Sequence, residues 1–364
     1  MFYLGIDQHS KQLTVNLRNE QGETAVKRQV STKWNRVRAF FDDLRREVEP
    51  DGGFMAIVEV CGFNDWLLKM LDEYGCQQIV LIQPEKPTKR KTDRRDASQL
   101  AELLWVNRDR LAAGRKVNGL RRVQPPNEQD AADRQLTTFR KRVVTSRTQT
   151  INKVKQILLK HNLLQECPTK GIQTKKARAW LAELPFEKID RLELDMLLEQ
   201  WDLWNTQLEE LDKQIASRQA EHPTATILAT VPGAGTFSSL ALASRIGPIE
   251  RFAGPDSLAN YWGLTPGCRN SGKVTDRLGS ITKQGSAMAR FVLGQMVLHV
   301  LRKDPHMRNW YRRIKKRRGT KIARVAVMRR LATIIWRMVK YEQPYVPGGP
   351  EHVKRMQVTM AALN

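Results

Sequence analysis

Four acidic residues in the first hundred positions have the types and spacing of a site for metal-dependent phosphate chemistry. Asp7 follows an apolar segment, Glu59 interrupts another, and Asp93 and Asp96 lie three residues apart at the start of a predicted helix. That spacing places Asp93 and Asp96 on one helical face. Four converging carboxylates repel one another unless divalent cations lie between them, and oxygen ligands suit Mg²⁺ or Mn²⁺. Two such ions about 4 Å apart can stabilise both the attacking and the leaving oxygen of a phosphodiester.

The elements predicted around these residues would bring them together. The spacing of hydrophobic residues predicts the element order β-β-β-α-β-α-β-α, which is typical of an α/β RNase H-like (RuvC-like) fold. In that fold the strands carrying Asp7 and Glu59 are neighbours. Taken singly, Asp7 could be a turn residue, and Asp93 and Asp96 could be acids favoured by a helix dipole. The predicted segments are Phe2–Asp7, Leu13–Leu17, Ala25–Val30, 33–48, Phe54–Val60, Asp65–Tyr74, Gln78–Ile82 and a helix from Thr92 past Leu104.

A serine in the second half, Ser271, could act as a nucleophile. A serine hydroxyl that attacks a phosphate needs an exposed turn, nearby cations and help in losing its proton. Gly272 allows close approach of the backbone, and Arg269, Lys273 and Arg277 could neutralise transition-state charge. No local His or Asp is an obvious base, so a metal-bound hydroxide or a carboxylate of the other domain fits better. An ordinary turn serine is the plain alternative, and two other serines are weaker competitors: Ser280 and Ser286.

The charge balance predicts a nucleic-acid partner. The chain has 62 Lys and Arg against 38 Asp and Glu, a formal net charge of +24, which phosphate contacts would offset. Residues 86–160 and 269–340 are the two basic regions. The segment Pro232-Gly233-Ala234-Gly235-Thr236 resembles the hairpin of a helix-hairpin-helix unit, with a plain helix connection as the alternative. The predicted nucleic-acid contacts are Gly233, Gly235, Arg269, Lys273, Arg277, Lys283, Arg312, Arg313, Lys315, Lys316, Arg317 and Arg318.

The rest of the chain is predicted to be mainly helical. One helical stretch spans about 130–162, and a second carries a heptad pattern from Leu194 to Ile215, typical of a coiled coil or a helical hairpin. An internal helix pair and an oligomeric coiled coil remain equally open. We expect core positions for Trp34, Trp66 and Trp180. The predicted domains are 1–123 (RNase H-like), 124–222 (helical coiled-coil segment), 223–345 (candidate serine domain) and 346–364 (loosely ordered tail).

The ordered set of motifs resembles the DEDD transposases of the IS-one-ten and IS-eleven-eleven insertion-sequence family. The resemblance covers roughly residues 1–105 and 225–300, and the helical middle is consistent with it. The matching motifs are Gly5-Ile6-Asp7, Glu59, Lys91-Thr92-Asp93-Arg94-Arg95-Asp96-Ala97, Val231–Gly235, Arg245-Ile246-Gly247, Tyr261–Pro266, Ser271-Gly272 and Ile281–Gly285.

The resemblance implies an RNA-guided recombinase. A structured non-coding guide RNA would pair with donor and target DNA, and Ser271 would be the nucleophile. The active site would be composite: the DEDD carboxylates of one subunit, with bound Mg²⁺ or Mn²⁺, would face the serine of another, so a dimer or tetramer is expected.

Two other functions remain open from the sequence. One is a metal-dependent RuvC-like nuclease or resolvase that uses the carboxylates alone. The other is an RNA-binding protein without catalysis. Four unpaired cysteines and six scattered histidines argue against zinc and disulfides. With neither a signal peptide nor a membrane span in the sequence pattern, we expect a protein of the bacterial cytosol or nucleoid.

Overall fold

The structure is a computed structural model that describes residues 1–83, 93–117, 120–268 and 278–348. It divides into two compact units, Met1–Pro125 and Pro126–Asn364. Within these ranges, no helix combines the length and the apolar character needed to cross a membrane.

The first unit has the predicted element order. The match is close because each strand carries a clear apolar run and each helix has one apolar face. Its strands are β1 (Phe2–Gln8), β2 (Gln12–Arg18), β3 (Thr24–Ser31), β4 (Phe54–Glu59) and β5 (Gln78–Ile82). Its helices are α1 (Trp34–Val48), α2 (Asp65–Glu73), α3 (Asp93–Val106) and α4 (Arg108–Ala112).

The five strands form one mixed sheet in the order β3-β2-β1-β4-β5. β1 pairs antiparallel with β2 and parallel with β4, and β4 pairs parallel with β5. Since side chains alternate along a strand, the sheet has two apolar faces. One packs against α1 and α2, and the other packs against α3 and α4. This arrangement is consistent with the expected RNase H-like fold.

Helix α3 lies directly on β1 at Gly5. A Cβ at this position would come within 2.4 Å of the Ala101 amide nitrogen and 2.4 Å of the Ala97 carbonyl oxygen. Both obstructing atoms belong to backbone, so they cannot move aside as a flexible side chain would. The glycine of Gly5-Ile6-Asp7 therefore sets the distance between the helix and the strand that carries Asp7.

We expect Gly5→Ala to lower the free energy of unfolding by about 3 kcal/mol, because added volume in a packed interior forces backbone shifts. Chemical denaturation followed by circular dichroism measures the change. Gly62→Ala is the matched control, since a Cβ at Gly62 meets nothing within 4 Å. If Gly5→Ala were as stable as this control, the close packing of α3 on β1 would be contradicted.

The second unit begins with an antiparallel pair of long helices. α5 (Glu128–Lys160) and α7 (Lys188–Glu221) are joined through the short helix α6 (Lys175–Glu183). Polar contacts between the two long helices follow the antiparallel order: Arg140 bonds Asp212 at 2.7 Å, and Lys160 bonds Asp190 at 2.7 Å. The heptad residues that lie in the buried seam are Leu194, Leu197, Trp201, Leu208 and Ile215.

This seam settles one alternative left open by the heptad pattern. Apolar residues of α5, such as Val154 and Leu158, pack against Leu194, Leu197 and Trp201 in one core cluster. The heptad is therefore satisfied within the chain, as an internal helix pair.

The remaining helices surround a second core. It is lined mainly by α8 (Pro223–Ala229), α9 (Thr236–Ile246), α10 (Pro255–Tyr261), α11 (Ala287–Lys303) and the second half of α12 (Pro305–Lys340). Helix α12 is kinked at Gly319, whose φ is 80°. The predicted division of this unit at residue 222 remains a prediction.

One expectation about the core differs from the structure. Trp34 is not a core residue, because 58% of its surface is exposed. At the start of the predicted tail, the Gly348 amide donates to the Asp304 carboxylate at 2.9 Å, and Tyr345, just before the tail, donates its hydroxyl to the same carboxylate at 2.6 Å. The loose order of the tail remains a prediction. Residues 349–364 of the predicted tail lie outside the described residues.

Candidate functional site

Asp7 and Glu59 lie beside each other on the same face of the sheet. The parallel register pairs Ile6 with Val58, so Asp7 and Glu59 are the next residues along neighbouring strands, which lie about 4.8 Å apart. The alternation that buries Ile6 and Val58 against α1 and α2 directs the two carboxylates to the opposite face, where α3 packs.

Helix α3 brings Asp96 of the second acidic pair toward this face. Ala97 lies over Gly5, and Asp96, which is half-buried, immediately precedes it. Asp93 is the first residue of α3, but its side chain lies outside the described residues. Asp7, Glu59 and Asp96 offer only oxygen donors, which suit a hard divalent cation. Among the described side chains alone, no three acidic, His or Cys residues are grouped as a metal centre.

His9 is a site residue that the sequence analysis missed. Its Nε2 lies 3.1 Å from the Asp7 Oδ2, and 14% of the Asp7 side chain is exposed. A ring nitrogen that donates to this oxygen would hold the carboxylate in one orientation. The Asp-x-His spacing at the end of a strand was the available signal.

A buried amide holds the carboxylate-bearing strands together. The Asn64 side-chain nitrogen donates to the Gln8 side-chain oxygen at 2.8 Å and to the Glu59 carbonyl oxygen at 3.1 Å. The Asn64 oxygen accepts from the Cys61 amide. These bonds fix the loop after Glu59 against the end of β1, so the strand ends that carry Asp7 and Glu59 are held in register.

Ser271 lies outside the described residues, as do Arg269, Lys273 and Arg277. In sequence they fall between two short antiparallel strands, β6 (Pro266–Cys268) and β7 (Leu278–Ile281). The assignment of Ser271 as nucleophile therefore remains a prediction.

The base of the β6–β7 hairpin is closely packed. Gly263 has a φ of +69°, and a Cβ there would come within 2.5 Å of the Gln284 carbonyl oxygen. A Cβ on Gly285 would lie 2.0 Å from the Tyr261 carbonyl oxygen. The Lys283 amide donates to the Gly263 carbonyl at 3.1 Å. These contacts explain physically why two of the sequence motifs, Tyr261–Pro266 and Ile281–Gly285, contain glycine.

The two competing serines have different surroundings. The Ser286 hydroxyl caps α11 by accepting a hydrogen bond from the Ala289 amide at 3.1 Å, so this oxygen already has a structural role. Ser280 lies exposed on β7.

The predicted helix-hairpin-helix glycines differ in their surroundings. Gly233 has a φ of +86°, and a Cβ there would lie 2.6 Å from the His299 side chain, so this glycine is required by packing. Gly235 is the N-cap of α9, and a Cβ on it would meet open space. Both glycines are exposed, and phosphate contact by their backbone remains a prediction.

The basic run occupies the exposed first part of α12. The predicted contact residues Arg312, Arg313, Lys315, Lys316, Arg317 and Arg318 are all exposed. Gly319 separates them from the apolar segment around Leu331 and Ile335 that enters the core. Lys283 is also exposed.

The Arg245 motif has a structural role. Its guanidinium donates to the Thr137 hydroxyl at 3.1 Å, to the Thr138 hydroxyl at 3.0 Å and to the Ala241 carbonyl at 2.9 Å. Burial lowers the pKa of Arg245 to about 10, so it remains charged at neutral pH. Arg245 thus joins α9 to α5.

A mixed α/β unit with two carboxylates at neighbouring strand ends, followed by a mainly helical unit, is consistent with the class of DEDD transposases. A DEDD transposase profile of the IS110 type matches residues 4–162, and a profile described as "Transposase IS116/IS110/IS902 family" matches residues 225–312. Together the two profiles cover well over half of the chain, which belongs to the IS116/IS110/IS902 family of transposases. The DEDD class implies dependence on a divalent metal ion.

The individual relatives have low sequence identity to this chain, but the matches cover most of its length. The chain is 25% identical to a transposase for insertion sequence element IS1111A of Coxiella burnetii, over 80% of this chain and 79% of the relative. A probable family 20 transposase of Pseudomonas aeruginosa is 26% identical over 85% of this chain and 90% of its own length. A putative transposase of Sinorhizobium fredii is 27% identical, over 71% and 63% respectively.

Proposed function

We propose that the protein binds a structured guide RNA and cuts, exchanges and rejoins donor and target DNA. The observation that carries the proposal is the placement of Asp7 and Glu59 side by side on the α3 face of the sheet, within a chain whose family is that of transposases. Membership of this family favours action on DNA over the alternative of RNA binding without catalysis.

The proposed chemistry uses two groups of residues that together form the composite active site. Asp7, Glu59, Asp93 and Asp96 would hold Mg²⁺ or Mn²⁺, which when bound would supply charge stabilisation at the phosphate. The Ser271 hydroxyl would give its proton to a carboxylate of the DEDD group and attack phosphorus: a serine Oγ–P bond forms, a phosphodiester P–O bond breaks, and the leaving oxygen takes up a proton. Attack on the phosphoserine by the hydroxyl of a second DNA strand would reverse these steps and rejoin the DNA.

Other residues would orient the carboxylates and neutralise the charge of the phosphate. The hydrogen bond between His9 and Asp7 supports a role for His9 in holding the carboxylate. Arg269, Lys273 and Arg277 would neutralise the phosphate that Ser271 attacks. The exposed basic run of α12 and the open N-terminus of α9 at Gly235 are proposed contacts for nucleic-acid phosphates.

The domain organisation and assembly form part of the same proposal. Residues 1–123 would form an RNase H-like (RuvC-like) DEDD domain, 124–222 a helical segment and 223–345 a transposase domain with a helix-hairpin-helix-like unit. A homo-oligomer would complete each site, because the carboxylates of one subunit would serve the serine of another. This oligomer would use a surface other than the internal α5–α7 seam.

Recombination of two DNA molecules directed by the co-purifying RNA tests the function. The RNA is first sequenced, and two plasmids that match its unpaired segments are incubated with the complex and Mg²⁺. We expect hybrid junctions, detected by sequencing across them, and none when the two matching segments of the plasmids are scrambled. Cut ends without junctions would favour the nuclease alternative, and unchanged plasmids with bound RNA would favour the RNA-binding protein.

A further inference from the structure

Three aromatic residues lie at the sheet edge where β1 and β4 end. β3 runs parallel to β1, because each pairs antiparallel with β2. β3 therefore ends at the same edge as β1, and Trp34 begins α1 three residues beyond β3. At the end of β4, Phe63 and Trp66 follow Glu59 after four and seven residues.

Hydrogen bonds tie this aromatic group to the residues that follow Asp7. The Phe63 carbonyl accepts from the Gln8 side chain at 3.0 Å. On the other side, the Thr32 amide donates to the Lys11 carbonyl at 3.1 Å, and the Thr32 hydroxyl donates to the Ser10 carbonyl at 3.1 Å. The aromatic residues are thus held next to the chain that leads directly from the carboxylate site.

The aromatic rings are presented to solvent. Trp34 and Trp66 meet edge to face, with ring centroids 5.7 Å apart. Trp66 is half-buried against the core, so it supports Trp34, which is 58% exposed. Phe63 is 45% exposed. We call the Trp34–Trp66 pair the aromatic platform. An indole with an exposed face, held by a second indole on the protein, offers a flat surface on which a base can stack.

Three basic residues lie near Trp34. The Arg38 guanidinium lies 5.8 Å from the centroid of the Trp34 ring. Lys33 and Arg36, on either side of Trp34 in sequence, are exposed. Exposed aromatic rings beside cations are the combination that binds single-stranded nucleic acid: bases stack on the rings, and phosphates meet the cations. An apolar protein partner would leave these cations without complement.

We infer that the aromatic platform stacks an unpaired base of the DNA strand that leads to the carboxylate site. The ligand is single-stranded or locally unpaired DNA, because the platform lies at the same sheet edge as the proposed DNA-cleaving carboxylates. The platform is on the α1 and α2 side of this edge, so a strand that reaches the carboxylates would pass across the edge. The inference rests on the proposed function for the identity of the strand, whereas the stacking depends only on the platform.

Binding of single-stranded DNA to the complete chain tests the inference. The probe is a fluorescent single-stranded DNA oligonucleotide, compared with the same oligonucleotide carrying abasic positions. All variants are made on an Asp7→Asn background so that cleavage does not disturb the measurement. We expect Trp34→Ala to weaken binding of the intact oligonucleotide about tenfold and to leave binding of the abasic one unchanged. Trp34→Tyr should restore most of the affinity, because it retains an aromatic face.

Controls separate stacking from other causes. Val106→Ala removes a 60% exposed apolar residue of the same unit and should change nothing. In the Asp7→Asn protein, DNA carrying 5-iododeoxyuridine should crosslink to Trp34 or Trp66 on illumination. Equal loss of affinity for intact and abasic DNA, or crosslinks confined to other residues, would overturn the inference.

Two further outcomes are distinguishable. An effect of Trp34→Ala on a single-stranded RNA probe and not on the DNA probe would overturn the assignment to DNA. Normal recombination by Asp7→Asn, together with the expected Trp34→Ala result, would contradict the proposed function and leave the stacking site standing.

Discussion

Asp7→Asn and Glu59→Gln are each expected to lower the rate of DNA strand cleavage at least about a hundredfold while leaving RNA binding near wild type. Both changes retain the shape of the side chain and remove the negative charge that would hold a divalent ion. Loss of one electrostatic stabiliser of a phosphate or oxyanion typically costs a factor of that size or more. Cleavage of end-labelled DNA in the presence of Mg²⁺ measures the first quantity, and filter binding of the co-purifying RNA measures the second.

Asp72→Asn is the matched control for these variants. Asp72 is an exposed carboxylate in the same unit, so its loss changes the charge equally without touching the site. Thermal unfolding of each variant checks that the protein remains folded. This check matters most for Asp7→Asn, because it alters the hydrogen bond between Asp7 and His9. If Asp7→Asn or Glu59→Gln recombined DNA at the wild-type rate, the carboxylate site would be rejected.

The sequence was sufficient to predict that Asp7 and Glu59 end neighbouring strands, because two independent patterns agree there. Glu59 interrupts a strand that is otherwise apolar, and Asp7 ends the strand that pairs with it. Since side chains alternate along strands, the register alone decides that both point to the face of α3. Gly5 adds a signal of its own, because only a residue without Cβ allows α3 to approach so closely.

Other features could not be predicted, for physical reasons. A heptad pattern reports an apolar stripe and not the identity of the helix that covers it, so α7 could not be assigned to an internal partner before the packing was known. The position of Trp34 was also not predictable from residue type alone. Its indole suggests a core position, yet it opens α1 at an edge of the sheet where its ring meets Trp66 and the Arg38 guanidinium and stays 58% exposed. The Asn64 bonds join residues 56 positions apart, which no local pattern reveals.

Ser271→Ala is expected to abolish both recombination and a covalent protein–DNA adduct. If Ser271 is the nucleophile, cleavage leaves the DNA joined to the protein through a phosphoserine, and rejoining requires no external nucleotide because the phosphate bond is conserved. The variant should still bind RNA and DNA, since the basic regions supply most of the affinity. A denaturing gel with labelled DNA, followed by protease treatment and mass spectrometry of the retained peptide, locates the linkage.

Ser280→Ala and Ser286→Ala are the controls for this result. Both serines belong to the same region of the chain, and the Ser286 hydroxyl caps α11. We expect Ser280→Ala to retain the adduct, and Ser286→Ala to retain it with a modest loss of stability, about 1 kcal/mol. An adduct that maps to either of these serines, or to a tyrosine, would reject the assignment to Ser271.

The adduct should also require the carboxylates, because Ser271 has no adjacent base of its own in the sequence. A mixture of Ser271→Ala and Asp7→Asn subunits tests whether the site is shared. If the serine of one subunit is served by the carboxylates of another, mixed oligomers contain some sites with both halves intact and regain part of the activity. Absence of rescue in confirmed mixed oligomers would place the serine and the carboxylates of each site in one chain. An active enzyme that never forms an adduct would instead favour attack by water or a DNA hydroxyl at the carboxylate site.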